Sequence, residues 1–311
     1  MLDILSLLCI ALGFTLVSLV AGNNVSVCFG SAIASRATGR RAGILLSIIG
    51  YAAGFLLQGK YLSYTVATLL SSVSLFRIDC ALLIAIVIFI IADIKRVPQA
   101  LTITLTAILI GMNVAMNTGR NVGLIASIIT FWITMPILSF FFMLIVMKWL
   151  DGRAPKRRIW SYARLMRFAL IVVSFFTAFT LGANTIGLIW ALIPQSGSIF
   201  LLAIAAIIIG STLLSAGTLG RVGNDIIPLR YMNAVGSQFA SALVVEIATL
   251  FRIPLTSTES FISSVYGAGV SYKRRVIRSR PLVTIVSMWM ITALVSFAAG
   301  FAVIVLSSAR I

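Results

Sequence analysis

The sequence predicts an all-α polytopic membrane protein made of two inverted-topology repeats, with broken helices and hairpin half-helices giving about ten spans or half-spans. Three observations carry that prediction. The 311 residues are 60% apolar and only 10% charged, with a mean hydropathy of +1.13, too little polar surface to cover a soluble globule. Apolar segments recur from Leu2 to Ser308, with lengths near the roughly 20 residues of a bilayer crossing or near half of that. The polar interruptions of the first half return in the same order in the second.

The apolar runs of the first half are 2–20, 42–57, 64–76, 81–92, 101–116 and 122–147. The stretch 4–20 has neither a basic leader nor a clear cleavage site, so it is expected to remain as a span. Segment 148–167 changes character: Lys148, Arg153, Lys156, Arg157, Arg158, Arg164 and Arg167 surround the helix breakers Gly152 and Pro155. It reads as a central loop. Apolar runs resume at 168–193, 199–214, 234–250, 256–270 and 282–307. The expected organisation is a first transmembrane repeat over 1–149, a basic cytoplasmic linker over 150–160 and a second, inverted repeat over 161–311.

The repeat rests on three matches in one order. Ala21-Gly22-Asn23-Asn24-Val25 is answered by Gly182-Ala183-Asn184-Thr185-Ile186, and each reads as a break inside an apolar run. Lys95-Arg96-Val97-Pro98 and Phe251-Arg252-Ile253-Pro254 open segments that reach Gly111 and Gly267, thirteen residues beyond the proline in both. A long final span with a tryptophan follows each, Trp132 in one and Trp289 in the other. Charge placement reverses between the copies. Arg36, Arg40 and Arg41 follow the first motif, whereas 194–198 after the second carries no charge; Lys273, Arg274, Arg275, Arg278 and Arg280 precede the last span, against Arg120 alone in the first copy. By the positive-inside rule these basic clusters and the central loop are cytoplasmic, and the copies are inverted. That architecture recurs in secondary transporters, which hold substrate near the midplane where helices break.

Candidate ligands follow from what a broken helix exposes. Free N–H groups at a half-helix start suit an anion, and free carbonyls suit a cation. Asn23 and Asn184 lie at the expected breaks, where an amide can serve either partner, cap a helix or bond a neighbouring helix. Thr256-Ser257-Thr258-Glu259-Ser260 sets five polar residues in an apolar stretch, either as ligands or as a helix cap. Its counterpart around Thr102 is poorer, so the site is expected to be lopsided. Glu246 and Glu259 are the carboxylates expected at apolar depth, and Glu259, within the polar cluster, is the better proton relay. Arg96 and Arg252 either attract an anion or extend to the interface.

Composition excludes much other chemistry. There is no histidine, so no Ser-His-Asp triad, H-E-x-x-H zinc site or histidine-ligated haem can form. Cys9, Cys28 and Cys80 lack metal-ligand spacing and read as small core residues, so no metal and no cofactor is expected. The net charge of +17 lies mostly at the ends of apolar segments, where it sets topology in contact with lipid and does not point to nucleic acid.

At these motifs the chain resembles the inorganic phosphate transporter family, whose signature is a duplicated G-A-N-D-V-A-N-A, often followed by F-G, with a later P-x-S-T-T hairpin. The first copy reads A-G-N-N-V-S-V-C-F from Ala21 to Phe29, the second L-G-A-N-T-I-G-L-I from Leu181 to Ile189, and the hairpin Pro254-Leu255-Thr256-Ser257-Thr258. Gly267 and Gly269 also fit. The resemblance implies a secondary transporter, not an enzyme, that carries inorganic phosphate, with sulfate or another oxyanion as the alternative; a chain with no added targeting segment is expected in the plasma membrane. The resemblance carries substrate contacts onto Asn23, Asn184, Thr256, Ser257, Thr258 and Thr102, and implies an elevator-like or rocking motion and a homodimer. The family's aspartate falls on Asn24 and Thr185, so both signature carboxylates are gone. Asn24, Thr185 and Glu259 are then the coupling candidates, for Na+ or H+. A lipid-phosphate enzyme using Glu246, Glu259 and Arg252, and a relative that no longer transports, are the readings from other classes.

Overall fold

The computed structural model describes residues 3–70, 73–94, 101–116, 121–151, 159–194, 197–215, 231–272 and 279–308. Lipid cannot bond a free N–H or C=O, so a helix, which bonds its own backbone, is the form open to a spanning segment here. All regular structure among the described residues is helical. The helices are α1 (Ile4–Ala34), α2 (Arg40–Gln58), α3 (Tyr61–Leu69), α4 (Leu75–Ile94), α5 (Leu101–Ala115), α6 (Val122–Asp151), α7 (Ile159–Leu181), α8 (Gly187–Trp190), α9 (Gly197–Ile209), α10 (Tyr231–Leu250), α11 (Ser257–Tyr272) and α12 (Ser279–Ser308). Five stretches of described residues are long and apolar enough to cross a membrane: Ile4–Ala34, Arg40–Gln58, Val122–Lys148, Trp160–Trp190 and Val286–Ser308.

The two expected breaks take different forms. α1 runs without interruption through Gly22, Asn23 and Asn24, contrary to the reading of that motif as a break. Gly22 serves packing instead. A Cβ there would press on Leu214 Cβ and on Gly210 O, in a π-helical turn at Gly210–Leu214, so the small residue lets two helices touch. In the second copy the motif does interrupt the α-helix, as a single π-helical turn over Gly182–Ile186 between α7 and α8.

The course of the copies is fixed by contacts at both ends. Cys9 Sγ near the start of α1 donates to Leu192 O, just past α8, at 3.7 Å. Beyond its other end, Arg167 Nε early in α7 donates to Ala37 O at 2.8 Å. α1 and the α7–α8 helix are therefore antiparallel. Phe55 near the end of α2 stacks on Phe200 near the start of α9, with ring centres 5.2 Å apart.

α4 with α5, and α10 with α11, form two hairpins. Each long final helix packs against the half-helix of the other copy, α6 on α11 and α12 on α5. Gly111 and Gly267 make these contacts. A side chain on Gly111 would collide with Phe297 O, and one on Gly267 with Phe140 O. α5 is buried along its length from Leu101 to Asn113. The basic segments 95–98, 152–158 and 273–278, with Arg96, Pro98 and Arg120, lie outside the described residues.

Candidate functional site

The start of α11 is the best-defined part of the site. Thr256 caps it: its Oγ1 accepts from Thr258 N at 3.2 Å, the bond a helix N-cap makes. Ser241 Oγ on α10 donates to Ser257 O at 2.8 Å. The approach to this turn is held by Asn184 from the π-helical turn. Its Nδ2 donates to Thr249 Oγ1 at 2.9 Å and to Ile253 O at 3.1 Å, while its Oδ1 accepts from Leu255 N at 3.0 Å. α10 ends in the closing pattern of a Schellman motif, with Arg252 N on Thr249 O, Ile253 N on Ala248 O and Arg252 in the left-handed region at φ 63°. The exposed tip is further tied by Trp132 Nε1, which donates to Pro254 O at 3.0 Å, by Thr65 Oγ1 on Arg252 O, and by the Arg252 guanidinium 4.7 Å over the Tyr64 ring.

A small cavity opens in front of that turn. Val20 and Asn24 of α1, Phe89 of α4, Leu101 and Thr102 of α5, Leu181 and Thr185 around the second motif, and Thr256, Ser257 and Thr258 of α11 line it. The first turns of α5 and α11 both reach it. Thr102 and Thr185 are joined through their hydroxyls at 3.1 Å. Among the described residues the Asn24 amide and the Ser257 and Thr258 hydroxyls have no protein hydrogen-bond partner, so their polar atoms stay open to a ligand. All ten lining residues are uncharged. Neutral donors and helix starts, each start contributing about half a positive charge, can favour an anion.

Of the expected substrate contacts, Thr102, Thr256, Ser257 and Thr258 come together here, along with the coupling candidates Asn24 and Thr185. Asn23 is half-buried on α1 beside the cavity lining rather than in it, and Asn184 is buried with its amide committed to the hairpin tip. Glu259 is 3% exposed and its Oε1 has no partner, within the first turn of α11 but not among the lining residues. Glu246 is half-buried and bonded by Gln58, and among the described residues it is Asp79, 3% exposed on α4, that joins Glu259 as a buried carboxylate. Cys9 and Cys28 are buried and all three cysteines are free.

Sequence reasoning missed Gln238. Its Nε2 donates to Val27 O at 3.2 Å and Cys28 O at 2.6 Å, and its Oε1 accepts from Ser174 Oγ at 2.9 Å, tying α1, α7 and α10 together. A lone amide inside the apolar run 234–250 was the available signal.

Two hairpins meeting at a cavity within a bundle of apolar helices define an integral membrane transporter assembled from two related halves, not an enzyme. The model of the phosphate transporter family matches residues 20–163 and again 151–300, and the chain belongs to that family. The Putative phosphate permease of Methanocaldococcus jannaschii is 24% identical over 296 residues, covering 93% of this chain and 94% of that protein. A solved structure, described as the sodium-dependent phosphate transporter, superposes with a TM-score of 0.82 at 17% identity, covering 99% of this chain and all of that one, so the fold is shared.

Proposed function

We propose that this chain is a secondary transporter that moves inorganic phosphate across the plasma membrane, binding it in the cavity between the first turns of α5 and α11. The observation that carries this reading is the convergence of Asn24, Thr102, Thr185, Thr256, Ser257 and Thr258, from both halves of the chain, on one cavity without a charged lining. Phosphate would be held by hydroxyl and amide donors and by the N–H groups of two helix starts. The antiparallel course of α1 and α7–α8 supports the inverted relation of repeats 1–149 and 161–311, and the twofold match of the family model supports their boundaries near the linker 150–160. Inversion then places Arg36, Arg40, Arg41 and the central loop in the cytoplasm.

Coupling is assigned to protons through Glu259. The signature carboxylates are replaced by Asn24 and Thr185 in the lining, while Glu259, the residue after Thr258, is buried with an unpartnered oxygen. Ser257, Thr258 and the coupling group then share the first turn of one half-helix, so protonation and anion binding bear on the same turn. Sulfate is the competing cargo, and unlabelled sulfate in the uptake assay separates the two. The test of the site is labelled phosphate uptake into proteoliposomes by a Thr102→Val/Ser257→Ala protein. Each lost bond to a charged ligand is worth about 1.5–3 kcal/mol, so apparent affinity should fall at least about tenfold. Unchanged affinity would sink this site.

A further inference from the structure

Away from the cavity, one pair of polar groups is used by nothing described so far. Gln58 at the end of α2 donates from Nε2 to Glu246 Oε1 on α10 at 2.7 Å. The other oxygens of these same two groups, Gln58 Oε1 and Glu246 Oε2, are both buried and both without a partner. Each is an acceptor, and neither can satisfy the other as the groups stand. Leaving two acceptors in this state costs free energy at each. One added proton changes that. A neutral Glu246 has an O–H to donate, and Gln58 Oε1 is the orphaned acceptor on the group already bonded to it.

We propose that Glu246 and Gln58 form a proton-binding site, separate from the anion cavity, whose occupancy acts on the tip of the α10–α11 hairpin. The proposal rests on the proton-driven reading above for its role in transport, but not for the binding itself. A metal ion fits poorly. Two free oxygens fall short of the about six to eight that a hard cation such as calcium takes, and no group of three His, Cys, Asp or Glu side chains stands together among the described residues.

The surroundings leave Glu246 to Gln58. Arg252, the nearest cation along the chain, lies over Tyr64. Tyr61 and Tyr64 are the titratable groups of α3, and Lys60 between α2 and α3 is exposed. The carboxylate of α11 is Glu259, in its first turn. Tyr162 of α7 bonds Met232 at the opposite end of α10, where Arg164 and Arg167 also lie and Arg167 is bonded to Ala37 O. Lys148 at the end of α6 is exposed. Gln58 is the one hydrogen-bond partner of Glu246 among the described residues.

The route to the tip is short. Glu246 and Thr249 are neighbours at i and i+3 on α10, and Thr249 Oγ1 accepts from the Asn184 amide that also holds Ile253 O and Leu255 N. A negative charge four residues before Leu250, where α10 ends, opposes the helix dipole and loosens the turn that carries the tip. A neutral acid removes that opposition and adds a bond to α2. Proton binding thus fastens the tip, and proton release loosens it.

Infrared difference spectra of the full chain in detergent, taken between neutral and acid pH, test the binding directly. The expected result is a protonated-carboxyl carbonyl band that is lost in Glu246→Gln, displaced in Gln58→Leu and retained in Glu259→Gln. A band untouched by Glu246→Gln overturns the proposal, as does a band change driven by sodium rather than acid. In proteoliposomes, Glu246→Gln should move one proton fewer per phosphate while still taking phosphate up. An unchanged proton-to-phosphate ratio in a protein that lacks the band would leave binding but overturn its role at the tip. Wild-type protein that shows the band yet takes up no phosphate under a proton gradient would count against the transport reading and not against the site.

Discussion

Asn184 reads in the sequence as a ligand and stands in the structure as a brace. Its three hydrogen bonds hold the segment that feeds Thr256 into the cavity wall. Asn184→Ala strands a buried carbonyl and a buried N–H, at about 1–3 kcal/mol for each. The expected outcome is a lower melting temperature of the ligand-free protein together with lost uptake. A contact to phosphate alone would weaken affinity and leave ligand-free melting unchanged, so thermal unfolding without phosphate separates the two roles. The residue scale also shows what was legible. Thr256, Ser257 and Thr258 were readable because a polar run in an apolar stretch must find partners. Asn184 was readable as important but not as ligand or brace, because an amide donates and accepts alike. Gln238 was overlooked because its value lies in main-chain carbonyls of α1 that are remote in sequence.

At the scale of elements, hydropathy located the long spans, while the glycine motifs misreported the shape of one of them. Gly22-Asn23-Asn24 reads as a break because Gly and Asn interrupt helices in water. Packed against Gly210 in an apolar bundle, the same residues sit inside an unbroken helix, since the backbone bonds of α1 have no solvent to exchange with. The matched glycines Gly111 and Gly267 proved informative for a different reason, close approach to Phe297 O and Phe140 O. Gly267→Ala must push α6 away from α11, at a cost of about 1–3 kcal/mol for overpacking. Gly111→Ala should cost α5 and α12 a similar amount. Melting in detergent checks both, and equal tolerance of alanine at these positions and at exposed Gly123, whose Cβ would meet open space, would refute the close-contact account.

For the whole molecule, the charge asymmetry and the twofold motifs of the sequence announce a duplicated membrane protein. What they could not announce was the pairing of halves, which depends on contacts between residues more than a hundred positions apart, such as Cys9 with Leu192 and Arg167 with Ala37. Coupling is likewise a property of the full assembly. With the signature carboxylates absent from the cavity and Glu259 buried next to Thr258, phosphate accumulation should follow an imposed proton gradient and be indifferent to sodium. Proteoliposomes under each gradient in turn decide this. Accumulation driven by sodium alone would mean that neutral oxygens such as those of Asn24 and Thr185 hold the coupling ion.

The exchange of final helices, with α6 lying on α11 and α12 on α5, bears on how such a chain could have arisen. A half-length ancestor would have had a half-helix with no lid of its own, and its last span would have had a bare glycine-matched face. Two such chains, inserted in opposite orientations, would have covered each other. On that view gene fusion added no new contacts; it fixed the one-to-one ratio of the two orientations and freed each half to drift, which is how the second could bring Thr185, Thr256, Ser257 and Thr258 to the cavity while Thr102 is the first half's one hydroxyl there.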